Sequence, residues 1–191
     1  MSAGLAAGFA DPVRDAQTCF RAVLDAMSRP GRIAFVSGVT PPSGLGVAAA
    51  AVVLSLVDHE TPLWLDAGAQ RARQWIEFHC GAPVIARPNG CAFALVVALP
   101  DLRTLPAGSH ESPETSATVI CQVTAFGAGR TFRLSGPGLR EPITLAVDGL
   151  PHDFVTIWRG NHELFPRGID LILCAGDKLT ALPRTVSIEE A

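Results

Sequence analysis

Asp170, Arg167 and Arg184 bracket a short apolar run near the C-terminus, setting one carboxylate beside two guanidinium groups. Guanidinium forks match the oxygens of phosphate and carboxylate. These three are therefore the candidate anion- or ligand-binding residues, with Arg130 and Arg133 as further arginines of the same kind. At the ends of a strand such residues also hold turns through backbone hydrogen bonds, which is their commoner role. Cys174 lies in the same run, with His152 or His162 available in the sequence as a base. A nucleophilic thiolate needs a polar, electropositive setting, whereas a free cysteine inside an apolar run acts as a small buried hydrophobe. Asp58, His59 and Glu60 are consecutive, so their side chains do not converge on one ion, and His79–Cys80 lacks the remaining ligands of a zinc set. The glycine-rich stretches Gly127–Arg130 and Ser135–Gly138 do not match a phosphate-binding loop and read as turns. The single lysine, Lys178, falls in a predicted turn, where nothing desolvates it for Schiff-base chemistry, and there is no tyrosine. No catalytic residue, metal site or cofactor follows from these residues. Of the three tryptophans, Trp158 sits among polar neighbours on a late predicted helix and is the candidate interface anchor.

The element that must position the charged trio runs from Phe165 to Thr185. Gly168 ends a helix, Ile169–Cys174 form an apolar run around Asp170, Ala175–Lys178 make a turn, and Leu179–Leu182 resume an extended pattern that Pro183 stops. A run apolar on both faces predicts a strand covered on both sides, in the middle of an α/β sheet. Upstream, Asp11 as N-cap and Pro12 open a first helix whose apolar face is Val13, Ala16, Phe20, Val23, Leu24 and Met27. Strands are expected at Arg32–Val36, Leu63–Leu65, Ala82–Ile85 and Ala92–Leu99. Helices are expected at Leu45–Asp58, capped by Ser43, at Ala69–Cys80 and at Phe154–Leu164. Pro100–Ser116 reads as an ordered surface loop with a helical turn. Val119–Thr124 and Thr131–Ser135 read as a hairpin about the Gly127–Arg130 turn, followed by an extended Ile143–Val147.

The chain of 191 residues, 48% of them hydrophobic, suffices for one core and one domain, 1–191, with residues 1–11 expected to be a flexible N-terminus. The net charge of −3 and the lack of a Lys/Arg-rich block argue against nucleic acid as partner. Five cysteines, an odd number without a CxxC pair, form neither a disulfide framework nor a zinc site. The first residues lack the basic and apolar regions of a secretory signal. The longest apolar run, Val47–Val57, is far short of the roughly 20 residues a membrane helix needs. A cytoplasmic protein with no membrane partner is expected. Helices in the first half, extended pairs in the second and a buried late strand predict an α/β fold, a mixed sheet with helices on both sides.

DAQTCFRAVLDAMSRPGRI, VVLSLVDHETPLWL, FHCGAP, RLSGPGL and FPRGIDLILCAGDKLTALPRT, in this order between Pro12 and Glu189, resemble the PhnH subunit family of bacterial carbon–phosphorus lyase. The resemblance implies a three-layer α/β/α sandwich related to the pyridoxal-phosphate transferases but without the cofactor site. It implies work in organophosphonate breakdown. There, with PhnG-, PhnI- and PhnL-like subunits, the family supports displacement of adenine from ATP by a phosphonate, giving a ribose 1-phosphonate 5-triphosphate that a PhnJ-like subunit handles after triphosphate removal. It implies a homodimer in isolation and a place in a core assembly with PhnG-, PhnI- and PhnJ-like subunits. It supplies no catalytic residue that maps onto this chain. The leading expectation is thus a non-catalytic subunit, inactive alone. The alternatives are a stand-alone small-molecule enzyme with a pocket at the C-terminal strand ends near Arg167, Asp170 and Arg184, or a homodimeric binding protein for a phosphorylated metabolite.

Overall fold

A computed structural model describes residues 7–191. Four helices lie among the described residues: α1 (Pro12–Ser28), α2 (Val47–Leu56), α3 (Arg73–Cys80) and α4 (Phe154–His162). The strands are β1 (Ala34–Phe35), β2 (Leu63–Leu65), β3 (Val84–Ile85), β4 (Phe93–Val96), β5 (Thr118–Gln122), β6 (Ala125–Ser135), β7 (Ile143–Asp148), β8 (Asp170–Ala175), β9 (Lys178–Leu182) and β10 (Ser187–Glu190).

Seven strands form a mixed sheet in the order β1-β9-β8-β5-β4-β2-β3. From β8 to β3 the neighbours are parallel, and β9 runs antiparallel to both β8 and β1. The expected buried strand is β8, in the interior of this sheet. It turns into β9 through Gly176 and Asp177, with Ala175 opposite Lys178. Gly176 has φ 59°, which suits the first central position of a two-residue hairpin turn. Successive side chains of a strand face opposite sides. Ile172 and Cys174, with Leu95, Ile120 and Leu179, pack against the layer of α1, α2 and α3. Leu171 and Leu173, with Val96, Val119 and Cys121, pack against the other side.

That other side departs from the expectation of helices alone. It is covered by α4 together with a second, antiparallel sheet of order β10-β6-β7. The predicted hairpin of Val119–Thr124 with Thr131–Ser135 does not form: β5 belongs to the large sheet, while β6 pairs β7 and β10 in the small one. The Gly127–Arg130 stretch is a bulge within β6, where the register to β7 shifts between Phe126 and Arg130. Both stretches are extended as expected, but an extended pattern does not say which strand is the partner.

Asp11 caps α1, its carboxylate accepting from the Arg14 N–H at 3.1 Å. Of the residues expected to be a flexible N-terminus, 1–6 lie outside the described residues, whereas Phe9 bridges Val39 and the Ala10 N–H donates to Gly38 O. The buried face of α1 is Cys19, Val23 and Ala26; Val13, Phe20 and Leu24 of the predicted apolar face are exposed. Gly46, not Ser43, stands at the N-cap of α2, and Ala48–Val53 are all buried. The small side chains let α2 sit enclosed between α1, α3 and the sheet.

Candidate functional site

The charged trio meets where β8 begins. Asp170 is the first residue of β8, so it stands at the N-terminal end of the parallel strands. An α/β ligand crevice belongs at the opposite, C-terminal end. The Arg184 guanidinium closes on the Asp170 carboxylate, Nε at 3.1 and 3.2 Å from its two oxygens and a terminal nitrogen at 2.5 Å. The same guanidinium donates to Ser116 Oγ at 2.5 Å and to the carbonyls of Pro113 at 3.0 Å and Pro166 at 3.4 Å. The Arg184 N–H donates to Asp170 Oδ1 at 2.7 Å. Every face of this fork is engaged, so Arg184 ties the 113–116 turn, the 166 turn and β8 together. Arg167 differs: its Nε is enclosed without a hydrogen-bond partner among the described residues.

Arg130 is spent in the same way. It donates to the carbonyls of Pro151 and His152, pairs with Glu190 and lies over the Phe132 ring. Arg133 is exposed on β6, opposite Glu189 of β10.

The helix beside this junction is anchored by Asn161, which sequence reasoning passed over, and by His162 and Trp158, which it weighed in other roles. Asn161 is buried; its side-chain amide donates to Ile169 O at 2.9 Å and its carbonyl accepts the Ile169 N–H at 2.7 Å. His162 Nδ1 lies 2.8 Å from Arg184 O. Trp158 is wholly buried, 0% exposed, and donates from its indole to Val186 O at 2.7 Å. Its candidacy as an interface anchor is thereby corrected: the residue is spent inside the chain, pinning α4 to the segment that leads into β10. Polar neighbours had suggested a surface, but in an amphipathic helix they mark the opposite face.

At the C-terminal strand ends the crevice is filled by the protein's own groups. Asp66, just after β2, accepts from the N–H groups of Ala69, Val97 and Ala98 at 2.8, 2.8 and 3.1 Å. Gln122, the last residue of β5, accepts the Gly46 N–H at 2.6 Å and donates to Gly44 O at 3.1 Å. The Ala48 N–H, in the first turn of α2, donates to Gly176 O. The amides of a helix N-terminus, the usual anion seat, are here met by a glutamine and a carbonyl. A polar residue at the end of an apolar strand or directly after it, as Gln122 and Asp66 are, was the signal available in the sequence.

Burial disfavours the thiolate form of the cysteines. Burial pushes Cys174 well above the ordinary thiol range, with Cys121 and Cys19 adding to the effect. Burial likewise raises Cys121 to about 12 and Cys80 and Cys91 to about 11. The Lys178 ammonium sits 5.6 Å from the centre of the Phe35 ring, beside the β1 edge. No group of three or more metal-ligating side chains occurs among the described residues.

A cavity of about 750 Å³ lies between α4 and the segment 99–107. Leu99, Leu102, Leu105, Ile157, Leu164 and Ile169 give it an apolar wall. The rim carries Asp101 and Arg103, which pair at 2.7 Å; the guanidinium holds the Asp101 carboxyl below its usual range. The cleft has the size of a small-molecule site, and its lining adds Asp153, Thr156 and Asn161 to the apolar wall.

Sheet order, inward-turned arginines and protonated thiols describe an α/β protein whose polar groups brace its own frame. The sequence model of the family described as bacterial phosphonate metabolism protein (PhnH) matches residues 7–189. The chain is 40% identical over 187 residues, 95% of its own length and 94% of the relative's, to the alpha-D-ribose 1-methylphosphonate 5-triphosphate synthase subunit PhnH of Rhizobium meliloti (strain 1021). It is 34% identical over 176 residues, 90% of its length and 85% of the relative's, to the proposed C-P lyase subunit protein HtxG of Stutzerimonas stutzeri. The chain belongs to the PhnH family of phosphonate metabolism.

Proposed function

We propose that this chain is a cytoplasmic, non-catalytic subunit of a carbon–phosphorus lyase core assembly. It binds PhnG-, PhnI- and PhnJ-like subunits and, with PhnG-, PhnI- and PhnL-like ones, supports displacement of adenine from ATP by a phosphonate. Alone it pairs as a homodimer and turns nothing over. The observation that carries this reading is the saturation of Arg184 and Arg130 by internal partners, together with thiols held protonated by burial. Such groups support a frame and leave binding to the surface. The similarity to a subunit of a ribose 1-methylphosphonate 5-triphosphate synthase supports the same role. No helix among the described residues is long and apolar enough to cross a membrane.

We also read the fold as a relative of the pyridoxal-phosphate transferases from which the cofactor site is gone. Its one lysine lies beside the sheet edge over Phe35, and the crevice at the C-terminal strand ends is closed by Gln122 and Gly176. Arg167, whose enclosed Nε has no partner among the described residues, remains the candidate anion-binding arginine of the trio.

Co-expression of the tagged chain with the PhnG-, PhnI- and PhnJ-like subunits of the same genome tests the role. A stoichiometric assembly in light scattering supports it. A chain that ignores those partners, or that alone consumes ATP plus methylphosphonate, overturns it.

A further inference from the structure

The small sheet leaves β7 as an edge strand of six residues, with β6 on one side of it only. The pairing on the far side of β6 decides which backbone groups of β7 are free. The Ala191 N–H donates to Thr131 O, so the groups of Thr131 face β10 and those of Phe132, the next residue, face β7. Leu145 stands opposite Phe132 and spends its own groups on β6. Thr144 and Ala146 therefore turn their N–H and C=O groups outward, where no described residue meets them.

Sheet edges are usually blunted by shortness, charge, proline or a bulge. The other edges of the two sheets are: β1 and β3 have two residues each, and β10 has four, two of them glutamates. β7 holds neither Lys nor Pro between Ile143 and Asp148, and the bulge of its sheet lies in β6. Where β7 begins, Ile143 and Pro30 line a cleft of about 400 Å³ whose rim carries Arg29, Arg32 and Arg140. Arg29 and Arg32 share the single carboxylate of Asp25, and Arg140 makes no ion pair among the described residues. Glu141 adds a second carboxylate to the three guanidinium groups, which leaves this corner at +1 in a chain of net charge −3. Arginines from two segments distant in sequence thus converge at one end of an open ladder, a setting that suits carboxylates on an extended chain.

We propose that the free edge of β7 takes an extended segment of a partner subunit as an added strand, with acidic side chains of that segment seated on Arg29, Arg32 and Arg140. Main-chain bonds to Thr144 and Ala146 supply the ladder, and the arginines fix where along β7 the segment lies. The inference rests on the subunit reading given above and deepens it by naming the surface and the chemistry of what meets it.

Hydrogen exchange of the full-length chain, alone and in the assembly purified with the PhnG-, PhnI- and PhnJ-like subunits, reads the edge directly. The Thr144 and Ala146 amides are expected to exchange freely in the isolated chain and to be slowed about tenfold or more in the assembly. Arg140→Glu is expected to leave the unfolding midpoint of the isolated chain unchanged and to raise the dissociation constant of the assembly about tenfold or more, while Glu141→Gln is expected to lower it. Ala146→Pro removes one outward N–H, a change that edge strands tolerate, and is expected to weaken assembly in the same way. Amides of β7 that stay unprotected in a formed assembly, or an Arg140→Glu variant that assembles as well as the wild type, overturn the proposal and leave the subunit role standing. Protection already complete in the isolated chain, as a second copy on the same edge would give, overturns it too. Failure of the wild type to assemble at all overturns the subunit reading itself, and the proposal with it.

Discussion

Replacing Arg184 by alanine is expected to destabilise the fold rather than to remove a ligand. The Asp170 and Arg184 side chains are each only 14% exposed. Truncation leaves the carboxylate with the Arg184 N–H as its partner at 2.7 Å, and strips donors from Ser116 Oγ and the carbonyls of Pro113 and Pro166. Breaking a buried ion pair from one side costs about 3–5 kcal/mol. The surviving backbone bond places this case near the lower end, ~3 kcal/mol. In a domain of this length that corresponds to a fall of roughly 6–12 °C in the unfolding midpoint. Urea unfolding followed by circular dichroism gives the free energy, and Asp170→Asn with Asp170→Asn/Arg184→Ala completes the cycle. The double variant is expected to cost clearly less than the sum of the two single ones, because neither charge is then stranded. A loss below about 1 kcal/mol for Arg184→Ala, the range of an exposed pair, would refute the bracing role and return Arg184 to the list of ligand-binding groups.

Two glycines separate backbone strain from steric conflict. Gly138 has φ 86°, and a Cβ there would stand 2.3 Å from Ser28 O; Gly138→Ala is expected to cost more than ~3 kcal/mol by chemical unfolding. Gly176 has φ 59° with open space around it, so Gly176→Ala is expected to cost only ~1 kcal/mol. Stability is also expected to fall in alkali. The folded thiols of Cys121 and Cys174 titrate above the ordinary thiol value of 9.0, so above that pH the unfolded chain loses protons that the folded one keeps. Stability is therefore intact below pH 9 and declines by about 1.4 kcal/mol per pH unit for each such thiol on the way to the folded values. Urea midpoints measured between pH 7 and 10.5 check the sign. A flat profile, or fast alkylation of the native chain at Cys121 or Cys174 at pH 8, contradicts their burial.

Much of this protein is legible in local pattern. The Asp11–Pro12 start of α1, the apolar run of β8 and its turn at Gly176–Asp177 depend on backbone preferences and on burial of neighbouring residues, which travel with the sequence. The ordered motifs between Pro12 and Glu189 identified the family, and the match over residues 7–189 bears that out. The burial of Cys174 followed from its neighbours, because desolvation is set by what surrounds a group. What tertiary structure decided is partnership. The extended character of β5 and β6 was read correctly, yet only packing could assign them to different sheets. An apolar stripe on α1 marks a face without saying whether core or surroundings cover it, and Val13, Phe20 and Leu24 were left outside. Trp158 had the composition of an interface residue and found its hydrogen-bond partner, Val186, 28 positions away. Arg184 and Asp170 looked like a pair that could receive an anion. Ser116, Pro113 and Pro166, distant in sequence, complete the cage. A guanidinium has a fixed number of donors, and only the folded chain determines which oxygens reach them first.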